Sequence, residues 1–192
     1  LTMAVSNAPR STVVSGEPAA LLELLATLEA EGVFCRQVQV DVASHSAQME
    51  PLVPELVAEL SDVAPRTGEI TLYSTVTGGP IDGMALDAGY WGRNLRERVR
   101  FAQTIAALAA DGIDGVVELS AHPVLRSAVE QCHAAAGRDV LVTGSLRRGE
   151  PEQAAMLAAL GTLWVAGQPV EWAAAMPDDW ARVALPSYPL QR

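Results

Sequence analysis

The sequence predicts a mixed α/β protein, and three observations carry that expectation. Short runs alternate apolar and polar residues, as Val38 and Val40 do against Gln37 and Gln39. Longer segments between them repeat apolar residues at i, i+3, i+4 and i+7. Clusters of Pro, Gly and Asn separate the two kinds. The 192 residues suit one domain, or one with a short appendage, and an apolar share of 49% is enough for a core.

The first elements are compact. Residues 3–6 and 11–15 are β-prone, with Asn7-Ala8-Pro9-Arg10 as the turn between them. Pro18 suits a first helical turn. Leu21, Leu24, Leu25 and Leu28 then mark one helical face, which Gly32 ends. Residues 34–40 read as a half-buried strand. This order resembles the last three-quarters of a ferredoxin-like βαββαβ unit, with its first strand and helix expected before Leu1.

Next, Met49, Leu52, Val53, Leu56, Val57 and Leu60 form the clearest helical stripe, with Pro51 and Pro54 bending its first turns. Residues 70–77 read as a strand, 77–80 as a turn and 91–110 as a helix with an irregular start. Residues 116–119 form a short strand and 120–123 a loop. A helix at 124–135 is expected to pack through Val124, Leu125, Ala128 and Val129. A strand at 140–143 precedes a last helix at 151–165, packed through Met156, Leu160, Leu163 and Trp164. From Gly167 onward the chain is rich in Pro and Trp with little periodicity, like an extended strap lying on another surface.

Composition excludes several classes. The net charge of −10, with no Lys/Arg-rich block, argues against binding nucleic acid. No apolar run is long enough for a membrane span. The start, Leu-Thr-Met-Ala-Val-Ser-Asn, lacks the features of a signal peptide and reads as a chain cut in mid-fold. Two cysteines, Cys35 and Cys132, make neither a disulfide framework nor a metal spacing, which suits a reducing cytoplasm.

One residue stands out chemically. His45, in Asp41-Val42-Ala43-Ser44-His45-Ser46, comes after a strand-like segment and opens the clearest helix. A histidine at such a junction can act as a general base, or can simply be a cap or surface residue. A base needs a nucleophile, and the Gly-x-Ser-x-Gly elbow is absent. Cys35 and Cys132 are expected in the core. His45, His122 and His133 show no metal-ligand spacing, so no metal is expected.

The order of motifs decides between these readings. Asp-Val-Ala-Ser-His resembles the motif of malonyl-CoA:acyl-carrier-protein acyltransferases, most closely the acyltransferase domains of modular type I polyketide synthases. Agreeing stretches are Asn7-Ala-Pro-Arg-Ser-Thr-Val-Val-Ser-Gly16, Tyr73-Ser-Thr-Val-Thr-Gly78, Tyr90-Trp-Gly-Arg-Asn-Leu-Arg96 with Val99-Arg-Phe101, Val117-Glu-Leu-Ser-Ala-His-Pro-Val-Leu125 and Gly144-Ser-Leu-Arg-Arg-Gly149. The closing Leu185-Pro-Ser-Tyr-Pro-Leu-Gln-Arg192 is similar to the end of the family's post-acyltransferase linker.

The resemblance implies three parts. Residues 1–41 would be a partial ferredoxin-like small subdomain. Residues 42–148 would be the C-terminal part of an α/β-hydrolase-like large subdomain. Residues 149–192 would be the last helix and linker. It also implies a serine–histidine dyad. The serine takes an acyl group from coenzyme A as an ester and passes it to the phosphopantetheine thiol of an acyl carrier protein, with His45 as the base. A backbone carbonyl, matched here to Asn94, would hold the histidine Nδ1–H. Asn7 matches a family asparagine near the cleft, though turn chemistry accounts for it equally well. The serine, the arginine that grips the substrate carboxylate and the oxyanion-hole region would all lie before Leu1, so the isolated chain is expected to be inactive.

The resemblance implies a substrate as well. Family members that take malonyl tend to carry His-Ala-Phe-His here, and those that take methylmalonyl Tyr-Ala-Ser-His. Val42, Ala43 and Ser44 are therefore the expected specificity positions. Ser44 makes room for an α-branch, and Val42 for a larger one. Expected partners are acyl-CoA, a carrier protein and an adjoining ketosynthase, without nucleic acid, membrane or tightly bound cofactor. Two other readings stand beside this one: a non-catalytic packing module, and a Ser–His hydrolase.

Overall fold

A computed structural model describes residues 1–38, 40 and 42–175. The chain divides into two compact units, Leu1–Val116 with Val124–Val142, and Val117–Pro123 with the residues from Thr143 onward. The regular elements among the described residues are helices and three two-stranded sheets, in keeping with the expected α/β class.

The first unit opens on an antiparallel hairpin. Strand β1 (Thr2–Ala8) pairs with β2 (Ser11–Ser15), with Thr2 opposite Ser15 and Ala8 opposite Ser11. The turn is shorter than expected, because Asn7 and Ala8 belong to β1. Helix α1 (Pro18–Ala30) starts on its proline and stops before Gly32, whose φ of +74° suits only glycine without strain. Its leucine face is half-buried.

The described residues of the strand expected at 34–40 lie outside any strand. Phe34 is 91% exposed, and Val38 and Val40 are exposed as well. Gln39 and Asp41 lie outside the described residues. Alternation readies a segment for pairing, but a strand exists only through ladder bonds to a neighbour. Among the described residues, β1 and β2 form a sheet with each other alone.

The stripe after His45 forms two helices. A 3-10 helix over Ala47–Leu52 contains Pro51, and helix α2 (Val53–Glu59) takes Pro54 into its first turn. Proline cannot donate an N–H and tolerates a first turn far better than a helix interior. Strand β3 (Leu72–Ser74) is shorter than expected, because Ile70 is exposed and outside it. It pairs antiparallel with β4 (Gly79–Ile81), which the sequence did not suggest.

The helix expected at 91–110 is also two. Helix α3 (Ala88–Arg96) begins at Asp87, whose side chain accepts the Tyr90 N–H at 2.7 Å. Helix α4 (Phe101–Ala110) starts after a four-residue connector. Strand β5 (Gly115–Glu118) pairs with β6 (Leu141–Gly144), and helix α5 (Arg126–Ala135) lies between them in sequence.

The first unit's core joins β1, α4, α5 and β6 through Ala8, Ile105, Val129, Cys132 and Val142. Val124, expected on the packed face of α5, is exposed and precedes the helix. Truncation of Ile105 to alanine leaves a void at the centre of this cluster. It is expected to cost about 2–5 kcal/mol, read as a lower midpoint in urea unfolding. A wild-type midpoint would show that the cluster does not hold the unit together.

In the second unit, helix α6 (Glu152–Val165) buries Ala155 and Ala159, while Met156 and Trp164 are exposed. The expected packed face is therefore displaced. The helix is apolar on several sides, so its periodicity did not select one. Trp164 meets Trp172 of helix α7 (Trp172–Ala175) edge to face, with 6.1 Å between ring centres. The rest of the expected strap, including the closing motif 185–192, lies outside the described residues. No helix among the described residues is long and apolar enough to cross a membrane.

Candidate active site

The histidines separate by environment. His133 is fully buried, and its two ring nitrogens lie 3.0 Å from the carbonyls of Val129 and Ile113, so it fastens α5 to the loop after α4. His122 is exposed, and its Nδ1 accepts the Arg148 N–H at 3.4 Å. Among the described residues, no group of His, Cys, Asp and Glu could hold a metal ion.

His45 alone is both held and open. Its φ is +60°, and among the described residues it is the single non-glycine residue with a positive φ. An L-residue pays roughly 1–2 kcal/mol for that left-handed conformation, so the surrounding structure must enforce it. Its backbone N–H donates to the Leu95 carbonyl at 3.1 Å, and its Nδ1 lies 3.0 Å from the Glu97 carbonyl. A carbonyl can only accept, so Nδ1 carries the proton. In the neutral ring this leaves the Nε2 lone pair free. Nε2 has no hydrogen-bond partner among the described residues, which is the arrangement a general base needs.

The orienting carbonyl belongs to Glu97, not to Asn94. Asn94 lies inside α3. Glu97 caps the helix in an extended conformation, with φ −81° and ψ 160°, which takes its carbonyl off the helical ladder. The break that frees it is the α3–α4 connector. Within that connector, Val99 bridges to Val5 of β1, with the Ser6 N–H to Val99 carbonyl bond at 3.0 Å and the Val99 N–H to Ala4 carbonyl bond at 2.8 Å. The Arg100 N–H reaches the Thr75 carbonyl at 2.8 Å. Four residues thus tie His45, the first hairpin and the β3–β4 turn together. Sequence reasoning missed them, since the helical phase runs on through Leu95, Val99 and Ala102. Asp87 was the available signal for where α3 starts.

The segment around His45 is secured on both sides. Ser15 Oγ donates to the Ser44 carbonyl at 3.4 Å. Ser46, buried at 2% exposure, donates Oγ to the Ala43 carbonyl at 2.7 Å and accepts the Gln48 N–H at 3.2 Å. Beyond it, Glu50 pairs with Arg96 at 2.5 Å. Helix α2 then crosses α3 at Gly92, where an added Cβ would stand 3.0 Å from both Val53 Cγ1 and Val57 Cγ2.

The other expected site residues lie at varied distances from this arrangement. Val42 is exposed, and Ala43 and Ser44 are half-buried beside His45. Asn7 is half-buried in β1, and its carbonyl lies 3.6 Å from Cys132 Sγ. No hydrogen bond joins Asn7 to His45 among the described residues. Of the cysteines, Cys132 is buried as expected, and burial pushes its thiol pKa up, away from a reactive thiolate. Cys35 is only partly buried, and it lies outside any strand.

Known proteins share both the sequence and the fold. Residues 1–170 match the family described as "Acyl transferase domain". The spectinabilin polyketide synthase system protein NorA' of Streptomyces orinoci is 46% identical over 193 residues, which cover 100% of this chain and 5% of that protein. Erythronolide synthase EryA2 of Saccharopolyspora erythraea is 45% identical over 194 residues, again 100% of this chain and 5% of the relative. The crystal structure of the acyltransferase domain from module 8 of the salinomycin polyketide synthase superposes with a TM-score of 0.86 at 45% identity, covering 90% of this chain and 41% of that one. The chain thus spans a small part of these multidomain relatives and less than half of that solved domain. It belongs to the acyl transferase domain family, in the branch whose members are domains of modular polyketide synthases.

Proposed function

We propose that this chain is the base-bearing part of an acyltransferase domain that moves an α-branched malonyl-type group from coenzyme A to the phosphopantetheine thiol of a carrier protein. The observation that carries the reading is His45: Nδ1 lies 3.0 Å from the Glu97 carbonyl, and Nε2 has no hydrogen-bond partner among the described residues. A serine from a part of the protein outside this sequence attacks the thioester carbonyl. His45 Nε2 accepts the serine proton and delivers it to the departing coenzyme A thiolate. The pantetheine thiol then attacks the acyl-serine ester. His45 takes its proton and returns it to serine Oγ as the ester breaks. No metal or redox group enters this cycle. The division into parts at 1–41, 42–148 and 149–192 belongs to the same proposal, as does an adjoining ketosynthase.

Ser44 and Val42 support the substrate choice, because neither is large. Selection by one methyl group in an apolar pocket amounts to about 1–3 kcal/mol. The intact domain, offered malonyl-, methylmalonyl- and ethylmalonyl-CoA in competition, is expected to load methylmalonyl first and ethylmalonyl second. A malonyl preference sinks this substrate choice. The variant Ser44→Phe fills the space for the branch. It is expected to lower kcat/KM for methylmalonyl-CoA by about tenfold or more while sparing malonyl-CoA. Equal losses for both thioesters would show that Ser44 does not face the branch.

A further inference from the structure

We propose that Ser46 is the positioning residue that holds His45 in its catalytic pose, an inference that rests on His45 acting as the base. The case begins with the backbone. His45 occupies a left-handed conformation that favours glycine, yet function requires its imidazole. Its two bonds, from the backbone N–H to Leu95 and from Nδ1 to Glu97, both reach the end of α3 and leave the preceding turn at 43–44 to be held by other groups.

Ser46 closes that turn from inside. Its Oγ donates to the Ala43 carbonyl, two residues before His45, and accepts the N–H of Gln48, three residues after it. One hydroxyl therefore spans the strained residue on both sides. At 2% exposure, water cannot readily replace it. The same geometry removes Ser46 as a nucleophile, because its proton is committed to Ala43 and its oxygen is buried.

The residues after Ser46 are anchored independently. Met49 is buried, its N–H donates to the Ser46 carbonyl at 3.1 Å, and Glu50 pairs with Arg96 at the end of α3. Loss of the hydroxyl therefore frees the turn at 43–45 while the 3-10 helix and α3 stay in place. The consequence falls on the aim of the imidazole, and so on the chemical steps more than on acyl-CoA binding.

The test uses the intact acyltransferase, with kcat, KM for acyl-CoA and thermal melting measured for Ser46→Ala, Ser46→Thr and His45→Ala. Ser46→Ala is expected to lower kcat by about 10–100-fold, since a misplacement near 1 Å costs that much. Its KM is expected to stay close to wild type and its melting temperature to fall by only a few degrees, the cost of one buried hydroxyl, and Ser46→Thr, which keeps the hydroxyl, to recover most of the loss in kcat. The inference is overturned if Ser46→Ala keeps wild-type kcat, if it melts far below wild type, or if a folded Ser46→Thr is as slow as Ser46→Ala. Undiminished transfer by His45→Ala instead overturns the base reading and this inference with it. Collapse of His45→Ala beside an unaffected Ser46→Ala overturns this inference alone.

Discussion

Substitution of His45 by alanine in the intact acyltransferase is expected to lower the transfer rate by about 10²–10⁴-fold, the usual contribution of a positioned general base. In the proposed cycle both half-reactions depend on it, since Nε2 would take the proton from the attacking serine and, later, from the pantetheine thiol. Stability gives a second, independent readout. Alanine at position 45 keeps the cost of a positive φ and loses the ring's bond to Glu97. Glycine loses the same bond but removes the strain, worth about 1–2 kcal/mol. His45→Gly is thus expected to be inactive yet at least as stable as His45→Ala in urea unfolding, the reverse of the ordinary order. Transfer by His45→Ala at a rate near wild type would end the catalytic reading. A less stable glycine variant would show that the left-handed conformation is not maintained.

The second large effect is expected at Gly92. This residue is buried where α2 crosses α3, and a Cβ there stands 3.0 Å from Val53 Cγ1 and Val57 Cγ2. The two helices carry the two halves of the support for His45: α2 continues from its 3-10 helix, and the end of α3 provides the carbonyls of Leu95 and Glu97. Valine at this position must push them apart. Overpacking of this kind costs about 1–3 kcal/mol. Gly92→Val is therefore expected to show a lower urea midpoint and a fall in kcat, because the carbonyls move relative to the turn they hold. Gly92→Ala is a finer probe. Its helix propensity gains about 1 kcal/mol over glycine, against a contact the valines can relieve by shifting a few tenths of an ångström. It is expected to be nearly neutral. A wild-type midpoint and kcat for Gly92→Val would show that the crossing does not position the base.

Much of this site is legible in the residues alone. The motif Val42-Ala-Ser-His45 points to the family when read within the ordered series of stretches around it, and offers His45 as the candidate base. Helix α1 is announced by four leucines, a proline and a glycine, since all of those signals are local. The failures are of another kind. Residues 34–38 alternate like a strand but lie without a ladder partner. Residues 91–110 keep helical phase but break at Glu97, because Val99 pairs with Val5 and Arg100 with Thr75.

The α/β class, the family and the identity of the candidate base were all readable along the chain, because composition, periodicity and motif order are properties of neighbouring residues. Three features needed the folded chain: the left-handed conformation of His45, the Glu97 rather than Asn94 carbonyl at its Nδ1, and the Ser46 hydroxyl bonded across the turn around it. The reason is physical. A backbone carbonyl has the same chemistry at every residue, so which one faces the imidazole depends on where α3 ends. That end is set by hydrogen bonds to strands and turns far away in sequence.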